Sequence, residues 1–163
     1  MREVTEVAVG VLIDKEGRFL MASRPQGKPY AGWWEFPGGK LEAGEAVTEA
    51  LSREYAEELG VKVKKATPWF VFEREYPHAY VRLHFCRIVD WEGQPQPREG
   101  QTFQWFETLK QAQTEKLLPM CSLVIERLML SDRVALVKTP LSPTVETDFE
   151  KSGAKAVSYT HLT

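Results

Sequence analysis

The chain has 163 residues, a length typical of one domain with a substantial hydrophobic core. Its formal net charge is −2, and its apolar and charged fractions of 43% and 27% are ordinary for a globular protein. This charge balance provides no broad attraction to a nucleic-acid backbone or an anionic membrane, so any phosphate group must be bound by a local site. We therefore expect a small-molecule ligand, without direct contact with nucleic acid or membrane.

The cysteines and the N-terminal segment bear on the cellular setting. Cys86 and Cys121 are the only cysteines and form no Cys-x-x-Cys pair of the kind found in zinc or redox sites. Residues 1–6 carry acids where a signal peptide would not, and the longest apolar run, 7–13, is too short to span a membrane. These features predict a cytoplasmic protein, and we expect a monomer.

Strand and turn signals alternate at the start of the chain. Residues 4–13 are apolar and β-branched and predict a buried strand, and residues 18–23 predict a second strand. The turn residues at 14–17 predict that these two strands form a hairpin. Residues 24–30 are rich in proline and glycine and predict a loop, which we expect to fold over a ligand.

A long helix is predicted from Ala46 to Leu59, because this segment contains good helix formers, lacks proline and is followed by Gly60. It carries a cluster of three acids, Glu54, Glu57 and Glu58. At 100° per residue these acids continue the apolar stripe that begins at Val47, instead of facing solvent on the opposite side. Carboxylates so close together repel one another unless a cation offsets their charge, and a hard divalent metal is the natural partner.

The second half of the chain predicts more strands and one further helix. A long hairpin is predicted from strands at 61–76 and 80–89. Residues 93–100 predict a polar loop and residues 102–106 a short strand, and residues 119–130 predict an amphipathic helix. Together the elements predict an α/β (α+β) fold in which a mixed β-sheet lies between helices.

A spaced set of glycines, glutamates and one arginine surrounds the first helix. Gly39 is followed after five residues by Glu45, and after seven more by the run Arg-Glu-Tyr-Ala-Glu-Glu-Leu-Gly-Val at 53–61. This spacing resembles the signature of the Nudix hydrolases, from which only Tyr55 departs, at a position that is usually aliphatic. Further segments look like the MutT branch of that family, which hydrolyses oxidised guanine nucleoside triphosphates; they lie at 7–10, 35–40, 91–93 and 99–101.

This resemblance implies a Nudix fold, hydrolase activity, and Mg²⁺ as cofactor, with Mn²⁺ as an alternative. The metal ligands that it implies are the Gly38 carbonyl, Glu54, Glu57, Glu58 and Glu99. The catalytic group that it implies comprises Arg53, Glu54 and Glu99. Within this group Arg53 orients the carboxylates, Glu45 holds either Arg53 or the loop from the helix start, and Glu99 supplies a further ligand or a base. The residues implied to contact the nucleotide are Val7, Arg24, Glu35, Phe36, Pro37, Gly38, Tyr76 and Cys121.

Two positions depart from the branch prototype. The asparagine that reads the base there falls near Cys121, and a loop histidine falls at Pro29. A thiol cannot replace a bidentate amide, which leaves Ser122 and the backbone at 118–120 to read the base. We expect hydrolysis of 8-oxo-dGTP, which would sanitise the nucleotide pool and support DNA replication and repair by avoiding mutation. Two alternatives stand: a Nudix pyrophosphohydrolase for another nucleoside diphosphate derivative, and a non-enzymatic nucleotide-sensing module.

The hydrolase domain is predicted to cover residues 1–130. Residues 131–163 have little periodicity and predict a linker or disordered tail. A second interpretation is that 134–137 and 149–157 open a second domain that is cut short, since some proteins of this type are fused to a thiamine-phosphate-synthase-like barrel. The last residues, 156–163, resemble translated sequencing adapter.

Overall fold

The computed structural model describes residues 3–107, 109–113 and 115–134. The strands in this part of the chain are β1 (Val4–Leu12), β2 (Phe19–Ser23), β3 (Trp34–Glu35), β4 (Gly38–Lys40), β5 (Lys62–Glu75), β6 (Tyr80–Glu92) and β7 (Thr102–Phe106). The helices are α1 (Val47–Leu59), α2 (Leu109–Gln113) and α3 (Pro119–Val134). Within these residues, no helix combines the length and the apolar character that a membrane span requires.

The strands form two sheets. The first has the order β4-β1-β6-β5 and is mixed, because β1 runs parallel to β6 while the other neighbours are antiparallel. The second is antiparallel, with the order β3-β2-β7. The parallel pair at the centre of the first sheet is joined through α1, which provides the long crossover that parallel strands require.

Helices cover both faces of the mixed sheet. Ala8 and Val9, adjacent on β1, are both buried, and because side chains alternate along a strand they belong to two different apolar clusters. The cluster around Ala8 includes Leu51 and Tyr55 of α1. The cluster around Val9 includes Ile125 of α3 and residues of the second sheet. The predicted mixed sheet between helices is therefore confirmed.

Local sequence explains the ends of α1. The Glu49 carboxylate accepts a hydrogen bond from the backbone N–H of Ala46, 2.9 Å away, which satisfies one of the free N–H groups at the helix start. At the other end Gly60 adopts the left-handed conformation, with φ 69°, and its N–H donates to the Ala56 carbonyl. The predicted helix is confirmed to within one residue. The predicted hairpin of β5 and β6 is also confirmed, and its turn is closed by Tyr76 and Ala79.

The predicted hairpin of β1 and β2 is wrong, because the two strands lie in different sheets and only a single bridge, Ile13 to Phe19, joins their ends. The physical reason is that β1 is a central strand whose two edges are already occupied by β4 and β6.

The short elements β3, β4 and α2 were not predicted. Helix α3 continues to Val134, four residues past the predicted domain boundary. The rest of the predicted tail, residues 135–163, lies outside the described residues. Both interpretations of it, a linker or disordered tail and a second domain that is cut short, therefore stay predictions.

Candidate active site

A cleft of about 780 Å³ is the candidate active site. Its volume is in the range of small-molecule sites, and its walls come from β1, β2, β4, α1, the β5–β6 turn and the start of α3. All of the residues predicted to contact a nucleotide line it: Val7, Arg24, Glu35, Phe36, Pro37, Gly38, Tyr76 and Cys121. The cleft therefore gathers residues that are more than 110 positions apart along the chain, since Val7 and Cys121 both face it.

One part of the cleft wall is apolar. Val7 of β1 lies opposite Leu83 of β6 in the parallel register, and both line the cleft. Tyr76, which is 36% exposed, supplies an aromatic ring from the β5–β6 turn. Cys121 is only 6% exposed, and burial raises the pKa of its thiol to about 12. This wall can accept an apolar or aromatic group such as a nucleobase.

Another part of the wall is acidic. Glu58 of α1 and Glu99 of the loop after β6 both line the cleft. Burial, reinforced by the negative charge of Glu54, raises the pKa of Glu58 to about 8. Burial also raises the pKa of Glu35, against the opposing effect of Arg24, whose guanidinium lies 2.9 Å from the Glu35 carboxylate. Because burial disfavours the charged forms of Glu58 and Glu35, a positively charged ligand in the cleft would stabilise these carboxylates.

Arg53 organises the carboxylates behind this wall. Its Nε and Nη2 donate to the two oxygens of Glu45, at 2.8 and 2.9 Å, and its Nη1 donates to Glu54 at 2.6 Å. A further bond runs from Nη2 to the Lys40 carbonyl, 3.1 Å away. The hydrogen bonds from Arg53 lower the pKa of Glu45 to about 2. The predicted contact between Glu45 and Arg53 is therefore present, and Arg53 acts on the site by holding Glu54.

Glu54 lies directly over the backbone of Gly39. A Cβ added at Gly39 would overlap the Glu54 carboxylate, so glycine is required there for the carboxylate to keep this position. The predicted metal ligands, which are Glu54, Glu57, Glu58, Glu99 and the Gly38 carbonyl, supply oxygen atoms and excess negative charge. A hard divalent cation prefers ligands of this kind. No three His, Cys, Asp or Glu side chains among residues 3–107, 109–113 and 115–134 are already close enough together to hold a metal ion. The residues fit a divalent cation by donor type and charge.

The NUDIX domain family matches residues 4–121. The chain belongs to this family. It is 36% identical over 106 residues to the 8-oxo-dGTP diphosphatase of Haemophilus influenzae, an alignment that covers 65% of this chain and 78% of that protein. It is also 36% identical over 97 residues to the CTP pyrophosphohydrolase of Escherichia coli, covering 60% of this chain and 72% of that protein. The protein is therefore a Nudix hydrolase, and its family relationship supports the use of a divalent metal.

Two solved structures share the fold of this Nudix hydrolase. A structure from a study of MutT from Aliivibrio salmonicida and Vibrio cholerae superposes with a TM-score of 0.69 at 26% identity, covering 79% of this chain and 99% of that one. The solution structure of the E. coli ORF135 protein superposes with a TM-score of 0.71 at 29% identity, covering 85% and 96%. The predicted Nudix fold is confirmed.

Some predicted residues of this Nudix hydrolase do not line the cleft. Arg53, Glu54 and Glu57 are not among the residues that line it. The side chain of Glu54 is 15% exposed, whereas that of Glu57 is 56% exposed and lies 3.7 Å from Nη1 of Arg53. Near the base-reading position, residues 118–120 line the cleft and Ser122 does not. The expectation that the Ser122 hydroxyl reads the base is thus not supported by its placement.

Several polar residues that sequence reasoning did not assign to the site also line the cleft, among them Lys28, Arg74 and Gln101. Arg74 precedes Tyr76 by two residues, so strand alternation from Tyr76 could have placed both on one side. Its guanidinium lies 5.2 Å from the centre of the Tyr76 ring. Lys28 is in the loop predicted to fold over a ligand, where any cation is a candidate for phosphate contact. Gln101 belongs to the segment 99–101 that resembles the MutT branch, but that resemblance assigned no role to it.

Proposed function

We propose that this Nudix hydrolase converts nucleoside triphosphates to a nucleoside monophosphate and pyrophosphate in the presence of Mg²⁺, and that 8-oxo-dGTP is its preferred substrate. One observation carries the proposal. The same cleft joins an acidic wall, with Glu58 and Glu99, to an apolar wall around Val7, Tyr76 and Cys121. A nucleotide needs both, because its phosphates require a cation site and its base requires an apolar contact.

The names of similar proteins support the same substrate class. The relatives from Haemophilus influenzae and Proteus vulgaris are 8-oxo-dGTP diphosphatases, at 36% and 35% identity. Each alignment covers more than three quarters of the relative, at 78% and 84%. The alignments span 106 and 94 residues, so the similarity extends well beyond the 13 residues of α1.

Each group of residues has a separate task in the proposed reaction. A divalent cation, held by Glu54, Glu57, Glu58, Glu99 and the Gly38 carbonyl, would offset phosphate charge and activate water. Arg53 keeps the Glu54 carboxylate in place through the 2.6 Å contact. Arg24 and Lys28 also line the cleft and can contact phosphate oxygens. One water is consumed, the P–O bond between the α- and β-phosphates breaks, and pyrophosphate leaves.

A second substrate class is favoured by a specific observation. Cys121 stands where a base-reading amide is expected, and its buried thiol is a weak donor and a weak acceptor. The CTP pyrophosphohydrolase of Escherichia coli shares with this chain the same percentage identity, 36%, as the diphosphatase from Haemophilus influenzae, over a slightly shorter alignment. A pyrimidine nucleoside triphosphate is therefore the second candidate substrate.

For either substrate we propose that the enzyme acts as a monomer on free nucleotides in the cytoplasm.

A substrate panel with Mg²⁺ tests the proposal. The panel contains 8-oxo-dGTP, dGTP, CTP and ADP-ribose, and kcat/KM is measured for each with separate assays for pyrophosphate and orthophosphate. We expect 8-oxo-dGTP to exceed dGTP by at least about tenfold, the ratio given by a difference of about 1.4 kcal/mol in transition-state binding. A higher kcat/KM for CTP would favour the second candidate. Absence of pyrophosphate release from every triphosphate would refute the proposed reaction.

A further inference from the structure

Gln101 is a buried polar side chain that connects Glu58 and Glu99, two of the acidic residues that line the cleft. It is 9% exposed, and it is the one polar residue in the buried class within the described part of the chain. Its Oε1 accepts a hydrogen bond from the backbone N–H of Glu99, 2.8 Å away. Its Nε2 donates to the backbone carbonyl of Glu58 across 3.5 Å. The two residues that it joins, Glu58 of α1 and Glu99 of the neighbouring loop, both line the cleft.

The chemistry of the two partners determines the orientation of the amide. The backbone N–H of Glu99 can only donate, so it must meet the carbonyl oxygen of the Gln101 side chain. The backbone carbonyl of Glu58 can only accept, so it must meet the amide nitrogen. A carboxylate in place of the Gln101 amide would lack the donor for the Glu58 carbonyl. A thioether would lack a strong acceptor for the Glu99 N–H. Only an amide side chain of this length satisfies both partners.

The loop that contains Glu99 is attached to the end of α1 by backbone bonds as well. The N–H of Gln96 donates to the Leu59 carbonyl at 3.0 Å, and the N–H of Arg98 donates to the Glu58 carbonyl at 3.2 Å. These bonds satisfy carbonyl groups that the last turn of a helix leaves free. They anchor the loop up to Arg98, whereas the side chain of Gln101 restrains Glu99 itself.

We propose that Gln101 is a positioning residue that sets the separation of Glu58 and Glu99, and so tunes divalent-metal binding in the cleft. The inference rests on the proposed function, in which both carboxylates contact the metal. Groups that orient metal ligands typically change metal affinity or activity by about 10- to 100-fold when they are removed. The amide of Gln101 acts through the backbone of both ligands and does not contact the substrate in this role.

The test compares the full-length wild-type chain with Gln101→Met, which keeps the side-chain length and removes both hydrogen bonds. Gln96→Met is the matched control, because the Gln96 side chain is exposed and its attachment to α1 uses the backbone N–H. Mn²⁺ affinity is measured by electron paramagnetic resonance, and exchange of the Glu99 amide proton is measured by NMR without metal. Activity is then measured as a function of Mg²⁺ concentration.

For Gln101→Met we expect about tenfold weaker Mn²⁺ binding and at least about tenfold faster exchange of the Glu99 amide. The kcat at low Mg²⁺ should fall and recover at high Mg²⁺, while the KM for nucleotide changes little. A general loss of structure would not be rescued by metal. Gln96→Met should match the wild type in all three measurements.

Failure of this inference is distinguishable from failure of the proposed function. Unchanged Mn²⁺ affinity and unchanged Glu99 exchange in a folded Gln101→Met variant would overturn the role of Gln101, whatever the substrate. If the wild type binds Mn²⁺ and the variant binds it tenfold more weakly, the role of Gln101 stands even when no triphosphate is hydrolysed. Should Gln101→Met not fold, Gln101→Ala provides the same comparison, because its smaller side chain avoids steric conflict.

Discussion

The hydroxyl group of Tyr55 on α1 donates a 2.6 Å hydrogen bond to the backbone carbonyl of Gly10 on β1. Tyr55 is fully buried, and its ring occupies the space that a side chain at Gly10 would fill. A Cβ at Gly10 would lie 2.5 Å from the hydroxyl oxygen and 2.7 Å from the ring carbons. The aromatic residue at a signature position that is usually aliphatic is therefore accommodated by the absence of a side chain on the neighbouring strand.

Replacing Gly10 should reveal this coupling between helix and sheet. Gly10→Ala forces the buried ring to move, and we expect a loss of about 1 to 3 kcal/mol in the free energy of unfolding, as for other overpacked cores. Tyr55→Leu removes the ring, so the further cost of Gly10→Ala in that background should fall below about 1 kcal/mol. Urea unfolding of the four proteins measures the coupling, and strictly additive free energies would contradict it.

The carboxylates of α1 should be needed for activity but not for folding. We expect Glu54→Gln and Glu58→Gln each to lower kcat by at least about 100-fold, as for loss of a major electrostatic contributor. We expect the same for Glu57→Gln, although its side chain is more exposed. Without metal, Glu58→Gln should melt no lower than the wild type, since a neutral amide replaces a buried carboxyl group that is crowded by other acids.

Glu126→Gln is the matched control for these variants, because Glu126 is an exposed glutamate on a different helix, α3. It should retain wild-type kcat and melting temperature. The prediction fails if Glu54→Gln or Glu58→Gln is unfolded instead of inactive, because that outcome would give the acids a structural role.

Much of the fold was predictable where local signals agree with tertiary contacts. Helix α1 has a run of good helix formers with an apolar stripe, and Gly60 signals its end. The β5–β6 hairpin has long strands around a short turn. The two-residue β3 and the three-residue β4 are too short to show periodicity. The pairing of β1 depends on which strands reach its edges, which is a property of the whole fold and not of residues 4–13.

The sequence predicted many of the residues that line the cleft, but it did not predict their geometry. The signature residues and the residues predicted to contact nucleotide were found, yet only the structure shows that Glu58 and Glu99 line the cleft while Glu57 faces solvent. Gln101 was missed because its importance comes from burial and two backbone partners. Neither burial nor partners can be read from an isolated glutamine in the sequence.

Base selectivity should respond to the residue at position 121. A guanine oxidised at C8 presents a donor at N7, and an asparagine would offer an acceptor together with a donor. We expect Cys121→Asn to increase the preference for 8-oxo-dGTP over dGTP by about 5- to 150-fold, from a gain of about 1 to 3 kcal/mol per bidentate contact. The ratio of kcat/KM values for the two nucleotides measures the effect.

Cys86→Ala is the control for loss of a thiol, because Cys86 is buried in the other apolar cluster and does not line the cleft. Its nucleotide preference should equal that of the wild type. An unchanged ratio in Cys121→Asn would mean that the base is read by other residues.

Thiol reactivity should follow burial. Burial raises the pKa of Cys86 to about 11 and that of Cys121 to about 12, from an ordinary value near 9.0. Because the thiolate is the reactive form, alkylation by iodoacetamide at pH 8 should be at least about 100-fold slower in the native protein than in urea. The native rate should still be rising above pH 10, where an ordinary thiol has levelled off. Equal rates in native and unfolded protein would show that the thiols are accessible.

A shortened chain should retain the hydrolase. The last member of the buried core among the described residues is Leu128, and α3 ends at Val134. We expect chains ending at Leu130 and at Val134 to fold and to keep wild-type kcat/KM, with the shorter chain less stable because it loses the final turn of α3. Melting curves and activity assays compare them with the full chain. Inactive or insoluble protein from both would show that residues beyond 134 are required.

Product analysis with controlled metal is the most direct test of the proposed reaction. Wild-type protein and Glu58→Gln are freed of metal with a chelator and incubated with 8-oxo-dGTP, with and without Mg²⁺, and the products are separated by ion-exchange chromatography. We predict 8-oxo-dGMP and pyrophosphate in equal amounts from the wild type with Mg²⁺, and at least about 100-fold less without the metal or from Glu58→Gln. Orthophosphate as the initial product, or equal activity after removal of the metal, would contradict the account.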